Sequence, residues 1–217
     1  MNFLDTSKEA CWNVPHMTQS SATSCLKVLL VVGNRSSKST TRTVVKHLGK
    51  QLAKAGCDVD LFDYTEIDLP LFDVQSAFSG TGYAQLKQRV QVADVIVLGT
   101  PDYHGSMSSA LKNFLDHFWN EFAGKLFGSI VGSHEKGLTV FDQMRTVMRQ
   151  CYAWPLPYGV SFQDKTDIEG DVVVSDVLLG KLDAMTRDLC VYGQLLAGQR
   201  QKDLAGKEPG FLAHYRQ

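Results

Sequence analysis

Residues able to hold an anion are concentrated in Gly33-Asn34-Arg35-Ser36-Ser37-Lys38-Ser39-Thr40-Thr41-Arg42, which carries five hydroxyl side chains and three cations. The stretch lies between a β-branched apolar run and an amphipathic segment, so it is expected to connect a buried strand to a helix. Helix-start amides point outward without intrahelical partners and the helix dipole favours an anion there. Ser/Thr hydroxyls and Arg add charge-assisted hydrogen bonds. A monophosphate suits this loop, with Arg35, Ser39, Thr40 and Thr41 as its candidate ligands. The competing reading is that Ser39 or Thr40 only caps the helix. The loop has neither the GxxxxGK[ST] spacing of nucleoside-triphosphate sites nor the GxGxxG spacing of dinucleotide folds.

A second candidate stretch is Thr100-Pro101-Asp102-Tyr103-His104-Gly105-Ser106-Met107-Ser108-Ser109, followed by Ala110-Leu111-Lys112-Asn113. Pro101 stiffens its start, Gly105 allows the backbone to approach a flat ring, and Tyr103 and His104 can flank that ring. An isoalloxazine fits such a loop. His104 alone reads more readily as an exposed loop histidine than as a catalyst, and Ser106 and Ser109 read equally as helix caps. No ordering of Ser, His and Asp suggests a nucleophilic triad.

These loops require a scaffold, and the pattern of apolar residues supplies one. Leu26–Gly33 is a continuous apolar run that suits a strand buried on both faces. Thr40–Ala55 places Val44, Val45, Leu48, Leu52 and Ala55 at helical steps, with Gly56 as the stop. Cys57–Asp63 alternates at period two, a helix is predicted near Ala84–Val92, and Ala93–Gly99 is a second continuous strand. Ser108–Phe122 carries Leu111, Phe114, Leu115, Phe118, Trp119 and Phe122 on one helical stripe. The strand Lys125–Gly132, a helix around Thr139–Tyr152, a strand near Pro157–Val160 and a helix over Ser175–Leu196 follow. Gly180 and Gly193 are poor helix formers within that last segment. Five alternations of strand and helix predict an α/β fold with a parallel sheet, and such sheets bind ligands beyond the carboxyl ends of their strands.

Residues 1–24 show no periodicity and are expected to form a mobile arm, with a single domain over 25–200 and a tail over 201–217. The 217 residues carry 22 Lys+Arg and 23 Asp+Glu, a formal net charge of -1, which argues against a phosphate-backbone partner. The longest apolar stretch, Val28–Val32, is too short for a membrane helix and the first 24 residues lack a secretory pattern, so no membrane role and a cytoplasmic location are expected. Cys11, Cys25, Cys57, Cys151 and Cys190 have no metal-site spacing, and no metal is expected. Free, buried thiols are the simplest reading.

At the two loops the chain resembles the NADPH-dependent FMN reductase family of the flavodoxin-like superfamily, which includes azo-dye, chromate and quinone reductases. The likeness covers roughly Leu26 to Leu196. Its most specific element is Thr100-Pro101-Asp102-Tyr103-His104-Gly105-Ser106 running into Leu111-Lys112-Asn113. Gly33–Thr41 is similar to the family's phosphate loop, with Asn34 in place of the usual Ser. The resemblance implies a doubly wound five-stranded parallel sheet of order 2-1-3-4-5 with helices on both faces. It implies bound FMN held by Arg35, Ser39, Thr40, Thr41, Pro101, Asp102, Tyr103, His104, Gly105 and Ser106. A third family loop corresponds to Gly132-Ser133-His134-Glu135-Lys136-Gly137, so Ser133 and His134 are candidates at the flavin's outer edge, for the pyridine nucleotide, or as solvated groups.

The resemblance further implies a homodimer or homotetramer, with part of the Leu111–Trp119 stripe facing the sheet and flanking residues such as His117 or Trp119 meeting a partner. The expected activity is passage of electrons from NADPH or NADH through FMN to a quinone, azo compound, metal oxyanion or free flavin. A bound flavin carries the redox chemistry itself, so no protein acid or nucleophile is required. The rival reading is a flavodoxin-type electron carrier without nicotinamide turnover. Such carriers tend to be strongly acidic, unlike this chain. A second rival is a degenerate module of the same fold that binds no flavin.

Overall fold

The computed structural model describes residues 25–66 and 69–216, and the arm expected over 1–24 lies outside the described residues. Strand β1 (Lys27–Val32) sits parallel between β2 (Asp58–Asp63) and β3 (Val95–Tyr103). Its uninterrupted apolar sequence follows from cover on both faces. Leu29 and Val31 pack in one core cluster with Phe62, Ile96 and Leu98, while Val28, Leu30 and Val32 pack in another with Val44, Leu48 and Leu52. Strand β5 (Leu126–Gly132) pairs parallel with β3. A two-residue strand β4 (Ser106–Met107) turns back antiparallel on the end of β3.

The fifth position of the sheet is divided. Strand β6 (Trp154–Pro155) pairs with the start of β5, and β7 (Val160–Phe162) pairs with its end. The strand predicted near Pro157–Val160 thus falls mostly in the gap between them, where Pro157 has no N–H to donate to the ladder, and only Val160 belongs to β7. The order is β2-β1-β3-β5 followed by the β6/β7 position, which is the expected 2-1-3-4-5 path once the short antiparallel β4 is set aside and the two halves are counted as one strand.

Helix α1 (Thr40–Lys54) is capped by Ser39, and the chain leaves it through Gly56 at φ 90°. Helix α2 (Thr81–Val92) leads to β3, and α3 (Ser109–Asp116) is capped by Ser108. The helix predicted over Ser108–Phe122 stops at His117, whose Nδ1 lies 2.7 Å from the Asn113 carbonyl. A 3-10 turn at Asn120–Phe122 then brings Phe122 against Phe114, Phe118 and Phe127. His117 is buried, so of the two residues expected to meet a partner only Trp119 is exposed, at 61%.

Helix α4 (Leu138–Gln150) precedes the divided strand. After it come α5 (Asp164–Asp167), the hairpin β8 (Ile168–Glu169) and β9 (Val172–Val173), and α6 (Asp176–Ala205). Helix α6 continues beyond Leu196. Gly193 within it is a close-approach position, since a Cβ there would lie 2.7 Å from Val95 Cγ2 and 2.9 Å from Leu26 Cδ2. Of the tail expected over 201–217, the described residues 201–216 begin inside α6 and fold back, with Leu212 buried and Arg216 donating to the Asp203 and Glu208 carbonyls at 2.9 and 2.6 Å. Among the described residues no helix is long and apolar enough to cross a membrane.

Candidate functional site

A cleft of about 850 Å³ opens beyond the carboxyl ends of β1, β3 and β5, and three loops line it. In the first, Ser39 Oγ accepts the Arg42 N–H at 3.3 Å, Ser36 N–H donates to Asn34 Oδ1 at 2.9 Å, and Lys38 N–H donates to Ser36 Oγ at 3.3 Å. Thr40 and Thr41 open the helix at the cleft wall. The three cations of this loop take separate directions. Lys38 lines the cleft. Arg42 turns inward, donating to both oxygens of buried Asp63 and to the Ser36 and Ser37 carbonyls at 2.6 and 3.2 Å. Burial pushes the Asp63 carboxyl up, but bonds from Arg42 and Thr65 outweigh it and hold the group below its usual range. Arg35, expected to hold phosphate, is not among the residues lining the cleft. Its guanidinium lies over the Tyr64 ring at 4.8 Å and donates to the Leu69 carbonyl at 3.1 Å.

The second loop is a tight hairpin between β3 and β4. His104 and Gly105 occupy its two turn positions at φ 57° and 76°, the left-handed pair of a type I′ turn. Asp102 fastens the hairpin twice, accepting from Gly105 N–H and from Ser133 Oγ, each at 2.8 Å. Gln143 of α4 fastens it again: Ser106 Oγ donates to its Oε1 at 2.8 Å, and its Nε2 donates to the Gly105 carbonyl at 3.2 Å. Ser106 is therefore engaged behind the hairpin and does not line the cleft, whereas Pro101, Asp102, Tyr103, His104 and Gly105 do. Buried Ser108 joins the first two loops by donating to the Gly33 carbonyl at 2.5 Å.

In the third loop Ser133, His134 and Glu135 line the cleft, and Lys136 and Gly137 take φ of 65° and 63° to enter α4. Two further residues follow β7. Gln163 Nε2 donates to the His134 carbonyl at 3.2 Å, and the Asp164 carboxylate accepts from Thr40 Oγ1 at 2.7 Å. Sequence reasoning did not identify Asp164, Gln143 or Thr139, the last lining the cleft from the first turn of α4; all three come from elements with no loop motif. The sole hint at Asp164 was its place just after the last strand of the sheet.

The structure thus gathers Ser39, Thr40, Thr41, Pro101, Asp102, Tyr103, His104, Gly105, Ser133 and His134 at one cleft and leaves Arg35 and Ser106 outside it. One end offers hydroxyls, Lys38 and a helix N-terminus, a donor set suited to a phosphate. The other end offers a hairpin tip whose Gly105 lacks a side chain, suited to a planar ring.

The chain matches the NADPH-dependent FMN reductase family over residues 26–167. It is 39% identical over 151 residues to an FMN-dependent NADPH-azoreductase of Staphylococcus haemolyticus (strain JCSC1435), covering 64% of this chain and 78% of the relative. Among solved structures, the flavoenzyme NAD(P)H:(acceptor) oxidoreductase FerB of Paracoccus denitrificans superposes with a TM-score of 0.65 at 18% identity, over 80% of this chain and 98% of that one. A flavodoxin of Streptococcus pneumonia TIGR4 superposes at 0.52 with 16% identity, over 78% and 99%. The fold is therefore flavodoxin-like, and the chain belongs to the NADPH-dependent FMN reductase family of oxidoreductases, with FMN as cofactor and a nicotinamide nucleotide as reductant.

Proposed function

We propose that the cleft holds FMN, with its phosphate among Ser36, Lys38, Ser39, Thr40 and Thr41 and its ring beside Pro101–Gly105, and that the enzyme passes electrons from NADPH to a small acceptor. The observation that carries this reading is the convergence of a hydroxyl-rich helix start and a backbone hairpin tip on one cleft. When bound, FMN supplies the redox chemistry, taking up a hydride and giving the electrons onward. The protein's part is positioning. Ser39 and the α1 amides neutralise anionic charge, Asp102 and Gln143 hold the hairpin in its left-handed turn, and Ser133 links it to the third loop. The acceptor class is a quinone, azo compound, metal oxyanion or free flavin, and an azo dye is the first to test because the Staphylococcus haemolyticus relative is named as an azoreductase. Assembly as a homodimer or homotetramer, with exposed Trp119 at the contact, accompanies this proposal.

The experiment is a flavin spectrum of the purified protein with and without added FMN, followed by NADPH oxidation with an azo dye and with a quinone. A yellow protein that oxidises NADPH only when an acceptor is present is the expected result. A protein that stays colourless after FMN addition overturns the cleft assignment, while one that binds FMN and oxidises neither NADPH nor NADH is an electron carrier.

A further inference from the structure

The described cysteines do not fit the expectation of uniformly buried thiols. Cys151 is buried and Cys25 exposed, while Cys57 and Cys190 are half-buried with their sulfurs 3.6 Å apart, although 133 positions separate them in sequence. Cys57 directly precedes β2, at the amino end of the sheet, and Cys190 lies in α6. The cleft is at the opposite, carboxyl end of the strands and contains neither residue.

We propose that Cys57 and Cys190 form an oxidisable dithiol, a modification site that closes reversibly into a disulfide with a hydroperoxide as oxidant. A disulfide needs its sulfurs about 2.05 Å apart, so they must approach by about 1.5 Å. Cys57 follows Gly56, which lies in the left-handed region at φ 90°, and apart from its own chain neighbours no heavy atom stands within 4 Å of the place a Cβ would take there. Exposed Cys25 donates its S–H to the Gly56 carbonyl at 2.7 Å, which holds a third thiol beside the pair but engages it elsewhere.

The two sulfurs have unequal roles. Burial and the adjoining Cys190 sulfur push the Cys57 thiol up to about 12, so Cys57 stays protonated and is suited to donate its S–H to Cys190. The Cys190 sulfur attacks the hydroperoxide: an S–O bond forms, the O–O bond breaks, and the proton given up by the Cys190 thiol leaves with the departing oxygen as an alcohol (water, if the oxidant is hydrogen peroxide). Cys57 then displaces the hydroxyl of the resulting sulfenic acid, its proton departs with that hydroxyl as water, and the S–S bond forms. Two thiols lose two electrons and the hydroperoxide gains them. The link ties α6 to the β1–β2 side of the sheet without entering the cleft, so it stabilises the fold and leaves catalysis unchanged. The link and its peptide readout do not depend on the FMN reading; only the turnover comparison rests on it.

The test treats full-length, FMN-saturated protein with hydrogen peroxide, alkylates the remaining thiols and maps tryptic peptides without reduction. Lys27, Lys54 and Arg187 place Cys25, Cys57 and Cys190 in separate peptides. The expected product joins the Cys57 and Cys190 peptides and is lighter by two hydrogens than their sum. It raises the melting temperature by roughly 5–10 °C, and a thiol reductant reverses both changes. Cys57→Ser and Cys190→Ser should abolish the link and the shift at unchanged NADPH turnover, and Cys25→Ser should retain them. Cys57→Ala replaces the serine variant if that one misfolds. A Cys25–Cys57 link, a sulfinic acid without any link, or an intact pair at peroxide levels that fully oxidise Cys25 would each overturn the proposal.

Discussion

A single amide, Gln143, both accepts from Ser106 and donates to the Gly105 carbonyl, so it holds the exit side of a turn whose first position is a left-handed histidine. A left-handed non-glycine residue costs roughly 1–2 kcal/mol and persists only where neighbours hold it. Replacing Gln143 by Leu removes two hydrogen bonds of about 1 kcal/mol each, so FMN should bind about 10- to 30-fold more weakly, measured by quenching of flavin fluorescence. Unchanged affinity in Gln143→Leu would show that the hairpin is held without it. At this scale the sequence was informative about residue type and silent about direction. Arg35, Lys38 and Arg42 read alike in the chain, yet they face Tyr64, the cleft and Asp63 respectively. The difference arises because Asp63 and Tyr64 come from the end of β2, a contact that no local pattern specifies.

At the scale of elements, two charged groups join pieces of the fold. Lys125 is buried, and its Nζ donates to the Val90, Gln91 and Ala93 carbonyls at 2.6, 2.7 and 2.5 Å, closing the carboxyl end of α2. Lys125→Met strands these acceptors and should lower stability by about 2–4 kcal/mol in urea unfolding. Burial, and next the Arg200 charge, lower the Lys125 pKa to about 7, whereas the unfolded chain titrates near ~10.4. Between those values the unfolded chain holds a proton that the folded protein has released. Wild-type stability relative to Lys125→Met should therefore rise with pH from about 7 to about 10. Three acceptors around one nitrogen favour the ammonium; if they prevail, that difference will be flat with pH. The Arg42–Asp63 pair behaves oppositely. Its carboxyl titrates below the unfolded value of ~3.9, so its contribution is present above that pH and lost as pH falls through the folded pKa. Asp63→Ala leaves Arg42 buried and uncompensated and should cost about 3–5 kcal/mol. The strands and crossover helices were legible because burial on two faces writes continuous β-branched runs. The break after α3 and the division of the last strand were not, since they depend on aromatic packing around Phe122 and on which N–H groups the ladder with β5 requires.

For the whole molecule, the proposed FMN site exists only when the sheet is assembled, since its parts come from α1, the β3–β4 hairpin, the loop after β5 and the segment after β7. Ser108, reaching from the second loop to the Gly33 carbonyl, and Asp164, reaching to Thr40, tie parts that lie 75 and 124 positions apart in sequence. A ligand that binds this arrangement and not the unfolded chain stabilises by RT ln(1 + [L]/Kd), about 2.7 kcal/mol at a hundredfold excess over Kd. For a chain of 217 residues this corresponds to a melting shift of roughly 5–10 °C with FMN. Riboflavin carries the same ring without the phosphate, so at equal concentration it should give a smaller shift, and the gap between the two ligands measures the Ser36–Thr41 end of the cleft alone. Lys38→Ala should narrow that gap because Lys38 lines the cleft, and Arg35→Ala should leave it intact because Arg35 lies against Tyr64. Equal shifts with FMN and riboflavin would mean that the phosphate contributes nothing at this loop. A gap that closes in Arg35→Ala but not in Lys38→Ala would mean that Arg35 leaves Tyr64 to meet the phosphate when FMN binds.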